Sequence, residues 1–557
     1  MRKYGFWLII IALIVIAPAT AQDAPRLTPQ RITTAQALIP DGVEVFAVTR
    51  LDAPFRQQLE ALADHISPAL PPDLNQTELS LEFIIRLIDP TAQYLDPVVL
   101  SQALGIALDT LEFYGADMLA IGAKDMTSDD PQIYIAVPLD TTLGRFVQNI
   151  FATALLGQHD GGQPLDDGTI YRAATLPVGL YFGTQGITLA VNAPDYSPQA
   201  PTLAENAAIS QAIASLPAEA YDLLAFFDTP AFIPDQLYRE DRAIMSALGL
   251  NPETIQSAAL GILLDDMRAL LIDTVQLRDG ERLITQTHSE ALATYVPPNA
   301  ALTLFAHDLR LFVGLAADLV ASLSATSSRE TIEEDFSRTL QALLGIDLYG
   351  DLYSWSSGDY AFFLNSAPQT PTDQPLIDAL QPGLLLEVTN SQQAQNLFDH
   401  LQSTLPDSAV FGEDVTIETS QLMTPAPRPA LLFHTAVGSF LLGTDERLFF
   451  LLERNIGQTV FSDAPHLNQS APYRTARPYR LAAPLASLFL IGDSATQTAQ
   501  WLLTLLDTEA IGWPEAAIIQ PYTEMLRALV DAIALDIAIA EDNALRLRIT
   551  LLMTQSD

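Results

Sequence analysis

The chain has 557 residues, 49% of them hydrophobic, which is enough to form the cores of about two ordinary domains and argues against intrinsic disorder. It contains no cysteine, which excludes disulfides, thiol nucleophiles, Cys-ligated zinc, iron–sulfur clusters and lipid attachment through an N-terminal cysteine. The net charge of −40 predicts an acidic surface that repels nucleic acid and anionic lipid headgroups.

The first residues have the three parts of a secretory signal. Arg2 and Lys3 form a positive start, 6–17 is an uninterrupted apolar run, and Ala19-Thr20-Ala21 fits a cleavage site. The apolar run is shorter than the ~20 residues that comfortably span a bilayer. We expect the signal peptide, 1–21, to be cleaved after Ala21, giving a secreted or extracytoplasmic protein without stable membrane insertion. The alternative is an uncleaved segment that anchors the protein in the membrane.

A first module is predicted over 38–292, after a polar linker at 22–37. Short runs of β-branched and aromatic residues predict its strands, and apolar residues at helical spacing predict its helices. Asp52 is the expected N-cap of the first helix, and Gly157 is expected to end a later one. The predicted strands are 43–49, 133–139, 169–175, 179–192 (either continuous or broken at Gly183), 221–228, 257–273 (a hairpin turning at Asp265-Asp266) and 282–287. The predicted helices are 55–66, 79–87, 97–104, 141–156 and 202–216.

A second module, predicted over 293–553, repeats this order. Its opening turn at 296–299 has the place of 39–42 in the first module, and Leu344-Gly345-Ile346 has the place of Leu104-Gly105-Ile106. These ordered matches predict a tandem of two like modules, since a solenoid would repeat every ~20–50 residues. The other main matches are strands 301–306, 384–389 and 488–493, the helices at 309–323 and 394–401, and a hairpin turning at Glu541-Asp542-Asn543.

Short hairpins join many of the predicted strands, and helices are interspersed among them. Hairpin connections favour antiparallel pairing rather than a doubly wound parallel sheet. We therefore predict an α+β fold in which each module is a mainly antiparallel sheet with helices packed on it.

Several short motifs resemble a known bacterial family. These are Gly345-Ile346-Asp347-Leu348 at a helix end, the turn and strand Trp355-x-x-Gly358-Asp359-Tyr360-Ala361, and the helix start 203–206 before Leu216-Pro217. Together they resemble a family of exported or membrane-anchored proteins that is known only as a domain of unknown function. The first module departs from the pattern, because 111–123 lacks the Trp-x-x-Gly-Asp turn. The resemblance implies no catalytic residues.

Motifs for common chemistries are missing from the sequence. It has no phosphate-binding glycine loop, no G-x-S-x-G elbow, and no two histidines at i and i+4 as an H-E-x-x-H zinc helix requires. Each histidine is therefore interpreted as a surface or satisfied polar residue, and no metal or cofactor is expected. The loop from His159 to Gly168 carries Asp160, Asp166 and Asp167, but it lacks calcium-loop spacing, so a plain acidic turn is preferred to a calcium site.

The most distinctive local feature is the group Trp355, Asp359 and Tyr360. One interpretation makes these residues a contact for a ligand or partner. The other, which we favour, has Trp355 packed over a helix C-terminus while Gly358 adopts a turn with positive φ.

Two functions remain open at the level of sequence. The first is a non-enzymatic cell-envelope binding or scaffold protein, with an apolar ligand or an envelope protein bound at a site between the modules. The alternative is an envelope hydrolase whose Ser/His/Asp or paired carboxylate site is assembled in space from separate segments. Nucleic acid is not an expected partner because of the acidic charge.

Overall fold

The computed structural model describes residues 26–52, 116–126, 130–139, 142–196, 201–228, 255–278, 286–310, 329–365, 380–406, 415–422, 427–436, 438–496, 529–540 and 544–554, with a few isolated positions between them. The chain divides into two compact units, Met1–Pro234 with Ile255–Asp279 and Asp235–Thr254 with Gly280–Asp557. The predicted module boundary at 292/293 lies C-terminal to this division. The signal segment, the helices at 79–87 and 97–104 and the turn at 541–543 lie outside the described residues.

The first unit alternates strands with short helices. A 3₁₀ turn, Leu203–Glu205, precedes its third helix, whose N-cap Asn206 accepts hydrogen bonds from the backbone N–H groups of Ala208 and Ile209. The described elements are helices α1 Pro29–Gln36, α2 Arg145–Leu156 and α3 Ala207–Ala214, and strands β1 Val45–Arg50, β2 Met118–Lys124, β3 Gln132–Pro138, β4 Gln163–Leu165, β5 Gly168–Arg172, β6 Val178–Gly183, β7 Gly186–Val191, β8 Leu223–Asp228, β9 Ile255–Asp265 and β10 Ala269–Arg278.

The second unit has the same kinds of element. A π-helical turn, Leu348–Leu352, follows its first described helix, and a 3₁₀ turn, Ala291–Thr294, precedes its first strand. The described elements are helices α4 Arg329–Leu344, α5 Ser391–Thr404, α6 Arg454–Val460 and α7 Ala471–Ala476, and strands β11 Leu302–His307, β12 Asp359–Leu364, β13 Pro382–Glu387, β14 Thr416–Leu422, β15 Arg428–Thr435, β16 Gly438–Thr444, β17 Leu448–Glu453, β18 Ala486–Ile491, β19 Val530–Ile539 and β20 Leu545–Met553.

Strand pairing is antiparallel throughout the described parts of both units. In the first unit the order is β4-β5-β6-β7-β3-β2-β1-β8-β9-β10. In the second it is β14-β15-β16-β17-β13-β12-β11-β18-β19-β20. The described chain is thus a mixed helix-and-strand protein dominated by antiparallel sheet, which confirms that part of the predicted fold class.

Each unit has a core in which a helix packs on the sheet. In the first unit Phe151 and Ala152 of α2 lie in a cluster with Leu180 of β6. In the second unit Phe398 and Leu401 of α5 lie in a cluster with apolar residues of β12, β13 and β15. Because these strands are apolar on the covered face, burial of that face is the main driving force for each unit.

Turn chemistry explains several element boundaries. The hairpin between β9 and β10 turns at the predicted Asp265-Asp266, where Asp266 and Met267 both have positive φ, as a type I′ turn requires. Helix α2 ends at Gly157, which has a φ of 66°. The prediction that Gly358 has a positive φ was wrong. Gly345, at the end of helix α4, has a positive φ instead. Gly358 instead permits a close approach, since a Cβ there would lie 2.8 Å from the Glu387 carbonyl oxygen.

Other predictions differ from the structure. The segment expected to be a polar linker, 22–37, contains helix α1, whose Ile32 and Ala35 are buried. Of the strand expected over 282–287, the described residues 286 and 287 are not in a strand. Within the loop predicted from His159 to Gly168, the short strand β4 pairs with β5. Both segments carry polar residues, so the apolar pattern that identifies a strand is weak there. Among the described residues, no helix is both long enough and apolar enough to cross a membrane.

Candidate functional site

The three predicted contact residues all lie inside the second unit. Trp355 is fully buried, donates from Nε1 to the Asp351 carbonyl oxygen at 2.6 Å, and packs against Phe449 with ring centroids 4.9 Å apart. Tyr360 is buried in the same core cluster, and burial raises the pKa of its phenol. These positions favour packing for Trp355 and Tyr360, while a contact role for them stays a prediction.

Asp359, the third of these residues, is the centre of a hydrogen-bonded cluster. It starts strand β12, and its Oδ2 accepts hydrogen bonds from the Ser289 backbone N–H and hydroxyl, both at 2.6 Å. Its Oδ1 lies 2.7 Å from Nδ1 of His307, at the end of the neighbouring strand β11. A carboxylate with this many partners is fixed in position, which explains how a buried acid is tolerated here.

A second cluster in the same unit surrounds Asp536 of β19. Arg480 donates to both oxygens of this carboxylate, with Nη2 2.8 Å from Oδ1, and the Ser487 hydroxyl donates to Oδ1 at 2.6 Å. Nη1 of Arg480 also lies 2.8 Å from Oε1 of Glu290. Burial alone would lower the pKa of Arg480, but the hydrogen bond and charge of Asp536 raise it, so the guanidinium stays charged.

The segment His288–Glu290 joins the two clusters. Nε2 of His288 lies 2.9 Å from the Ser487 Oγ, Ser289 binds Asp359, and Glu290 binds Arg480. Sequence reasoning missed this arrangement because its partners lie as far as 199 positions apart along the chain. One signal was available, since Asp536 interrupts an apolar strand and a buried acid needs a partner.

Neither cluster has the order of a catalytic triad. In a triad the imidazole lies between the hydroxyl and the carboxylate and takes the hydroxyl proton. Here Ser487 lies between His288 and Asp536, and Asp359 lies between Ser289 and His307.

The burial of Ser487 also argues against a catalytic triad in the Asp536 cluster. The Ser487 residue is only 1% exposed, so a substrate carbonyl has no route to its Oγ. The Ser487 hydroxyl is therefore not placed to act as a nucleophile on a substrate from solvent.

The first unit has a buried ion cluster of its own. Arg50, at the end of β1, donates from Nε to Asp52 Oδ2 and from Nη1 to Asp222 Oδ1, both at 2.6 Å. Asp52 also accepts from the Phe55 backbone N–H, which confirms it as a helix N-cap. Burial raises the pKa of Asp222, although hydrogen bonds from Leu264 and Arg50 oppose that change. The Arg50 guanidinium is therefore paired with two buried carboxylates at the end of β1.

The acidic loop after α2 behaves as a turn. Asp160 accepts hydrogen bonds from the backbone N–H groups of Gly162 and Arg172 and from the Arg172 guanidinium. Burial would raise the pKa of Asp160, but these hydrogen bonds lower it below its usual value. Both oxygens of Asp160 therefore accept hydrogen bonds from within the protein. Within the described residues, no group of three or more His, Asp or Glu side chains is placed to hold a metal ion.

Helix α2 presents an apolar face to solvent. Phe146 is 79% exposed and Ile150 is 54% exposed, and Ala154 continues the same face one turn later. The opposite face packs into the core through Phe151 and Ala152. The helix carries one charged residue, Arg145, and no acid. We call Phe146, Ile150 and Ala154 the outer face of α2.

Helix α5 of the second unit offers a comparison. Its exposed positions are polar, and Gln392 hydrogen-bonds Asn396 across one turn at 2.9 Å. A polar outer face is the ordinary solution for a helix that packs on a sheet. The outer face of α2 therefore departs from the ordinary pattern within the same chain.

The comparisons with known proteins show that part of the chain is similar to an uncharacterised family. Residues 190–424 match a family described as "Protein of unknown function (DUF3352)", which confirms the predicted resemblance to a domain of unknown function. The match runs from β7 to just beyond β14 and covers less than half of the chain. It includes Trp355, Asp359 and Tyr360, but it includes neither α2 nor Asp536.

Neither of two further comparisons with known proteins identifies a function for this chain. A search of curated proteins finds no match. A solved structure titled "Structure of crystal form I of TP0453" is similar over 45% of this chain and 81% of its own, with 8% identity and a TM-score of 0.21. A likeness at that score carries no information about function.

Proposed function

We propose that the protein is a non-enzymatic extracytoplasmic binding or scaffold protein that contacts another envelope protein through the outer face of α2. The observation that supports this proposal is the exposure of Phe146 and Ile150 on one face of a helix. Paired large apolar side chains in water are costly, and contiguous patches of this kind mark interaction sites.

The shape of the surface favours a protein over a small apolar ligand. Small ligands are held in concave pockets that cover most of their surface, whereas the outer side of a helix is convex. Phe146, Ile150 and Ala154 are spaced at i, i+4 and i+8, which is the pattern of a helix that lies in a partner's groove. The partner is therefore expected to supply the groove.

The charges of α2 and of the whole chain indicate which partner surfaces would complement this helix. The chain has a net charge of −40, yet α2 contains no acid and begins with Arg145. A neutral or acidic rim on the partner's groove would complement this helix, while the remaining acidic surface would repel anionic partners elsewhere.

The extracytoplasmic location is proposed from the N-terminal sequence. The positive start, the apolar run and the A-x-A site favour export, with cleavage after Ala21. Retention of the segment as an anchor is the alternative, and in either case the described units would lie outside the cytoplasm.

We also propose that the two units are like modules that arose by duplication, within the predicted ranges 38–292 and 293–553. The identical strand order within the two units supports this, since ten strands can be connected in many other ways. In this scheme α2 and α5 are counterparts, and only α2 has acquired an apolar outer face.

The test compares two double variants of the full chain expressed in its own host. Native mass spectrometry of the purified protein should show a complex with a second protein. Phe146→Ser with Ile150→Ser should abolish that complex, whereas Gln392→Ser with Asn396→Ser on α5 should leave it intact.

Three outcomes would overturn the proposal. These are no complex with wild-type protein, equal loss in both double variants, and robust esterase or glycosidase turnover that a single Ser, Asp or Glu substitution abolishes.

A further inference from the structure

We infer that the outer edge of strand β14 is a surface to which a second copy of this chain adds its own β14, forming an antiparallel homodimer. This inference does not depend on the proposed contact of α2, which lies in the other unit. It arises from the place of β14 at the end of the strand order of the second unit and from its sequence.

Strand β14, Thr416–Leu422, has one side without a strand neighbour. All seven of its residues pair in register with β15, and among the described residues no other strand or backbone group bonds to it. The side chains of Thr416, Glu418, Thr419 and Gln421 are exposed. The outward N–H and C=O groups of such an end strand can pair with a strand from another chain.

The described helices of the second unit leave this edge accessible. Helix α5 packs on β16, two strands in from β14, and α6 packs on β16 and β17. Leu422, at the C-terminal end of β14, is buried where it approaches Gly457 of α6. These helices therefore cover the end of the strand and not its length.

Strand β14 also lacks the features that protect end strands. The strand in the same place of the first unit, β4, has three residues, and its central Pro164 has no N–H to offer a partner. The sequence of β14, TIETSQL, contains no proline, glycine or lysine, and its register with β15 has no bulge. Three of its residues are β-branched, which favours an extended backbone. The sequence of β14 therefore favours further pairing, whereas that of β4 opposes it.

The register of a symmetric pair favours a second copy as the occupant. A two-fold axis through Thr419 pairs all seven residues of each β14, because position 416 then lies opposite position 422. In this register Glu418 lies opposite Ser420 of the second copy, so no carboxylate faces another. The central pair is Thr419 with its own copy, which is a favourable cross-strand pair. An axis through Glu418 would instead place two carboxylates opposite each other.

The size and charge of the edge predict a weak association. One pair of seven-residue strands covers less area than the ~1,200 Å² of a standard interface, so a transient dimer is expected. Repulsion between two chains of net charge −40 weakens it further, and screening by salt should strengthen it. Glu418 is the only charged residue of β14, so the contact itself contributes little to this repulsion.

The absence of cysteine allows the register to be measured in the full chain. Opposite residues of antiparallel strands have Cα atoms about 4.5–5.5 Å apart, within the ~4.4–6.8 Å found in disulfides. Thr419→Cys should therefore give a disulfide-linked dimer under mild oxidation. Ile417→Cys is the matched control, because the two 417 positions would lie roughly 13 Å apart along the strands. It should crosslink about tenfold more slowly.

Two substitutions of Ser420 test the cross-strand contact without cysteine. Ser420→Glu places a second carboxylate opposite each Glu418 and should weaken the dimer about tenfold in sedimentation equilibrium. Ser420→Lys places an ammonium group there and should strengthen the dimer by a similar factor. Gln393→Glu and Gln393→Lys make the same changes of net charge at an exposed position of α5, and they should leave the dissociation constant within about twofold of wild type. Damage to the fold cannot explain opposite shifts from one position.

Four outcomes overturn the inference. The first is that wild type and Ser420→Lys both stay monomeric at the highest soluble concentration. The second is equal crosslinking of Thr419→Cys and Ile417→Cys. The third is a dimer that both Ser420 variants shift in the same direction or leave unchanged. The fourth is a complex with a different protein that Ser420→Glu disrupts while the chain alone stays monomeric, which would assign the edge to another partner.

Discussion

Replacement of Trp355 by alanine tests the packing of the second unit. The side chain is fully buried, so it removes ~150–250 Å² from water, worth about 4–6 kcal/mol as an upper estimate. Partial collapse of the cavity reduces this value, while the Asp351 carbonyl loses its donor. We expect Trp355→Ala to lower the free energy of unfolding by about 3–5 kcal/mol.

The assay is equilibrium urea unfolding of the full chain, followed by circular dichroism and by hydrogen exchange of β12 and β13. Trp355→Phe should cost less, about 1–2 kcal/mol, because it keeps an aromatic ring against Phe449 and loses the indole N–H. Tyr349→Ala is the surface control, since Tyr349 is 54% exposed and should change stability by less than about 0.5 kcal/mol. An unchanged midpoint for Trp355→Ala would refute the packing interpretation and favour a contact role.

Three other predictions concern the first unit, the second unit and the mature terminus. Arg50→Leu leaves the buried carboxylates of Asp52 and Asp222 without their cation. We expect it to lower the free energy of unfolding, measured in urea, by about 3–5 kcal/mol. A decrease of less than about 1 kcal/mol would contradict this. Burial would raise the pKa of Asp445, but hydrogen bonds from an arginine and two backbone N–H groups lower it below its usual value. The contribution of Asp445 to stability is therefore present above about pH 4 and is lost as the pH falls through the pKa of the folded state. Asp445→Asn should therefore reduce the loss of unfolding free energy as the pH is lowered below about 4. An unchanged loss would show that other groups cause the acid destabilisation. Edman sequencing should give a mature start at Gln22 in a detergent-free fraction, whereas an intact initiator methionine in membranes would support the anchor.

Much of the secondary structure could be read from local patterns. Strand β8 and the hairpin β9–β10 are apolar runs bounded by turn residues, and their predicted positions agree closely with the structure. The end of α2 at Gly157 also follows from one residue whose backbone tolerates positive φ. These features depend on neighbours in sequence, so the sequence is sufficient to locate them.

The polar clusters could not be read in this way. His288, Ser487 and Asp536 meet only because β18 and β19 pair beside the segment before β11, and no local spacing encodes that arrangement. The prediction of a positive φ at Gly358 was wrong for a related reason. A side chain at this position would meet Glu387, which lies on another strand.

Helix α2 was predicted correctly as a helix, but its exposed face was not. Its sequence, RFVQNIFATALL, has apolar residues around most of its circumference, so periodicity does not distinguish the core side from the outer side. Only the packing of Phe151 into the first unit shows that Phe146 faces solvent.

We propose that the outer face of α2 contacts a protein partner in the cell envelope. The most direct measurement is photo-crosslinking in the native host, with a photoreactive phenylalanine analogue in place of Phe146 and, in a matched strain, in place of Gln392 on α5. We predict one defined crosslinked protein from position 146, lost when Ile150→Ser is added, and none from position 392. Absence of any crosslink at position 146, or the same products from both positions, would contradict the claim.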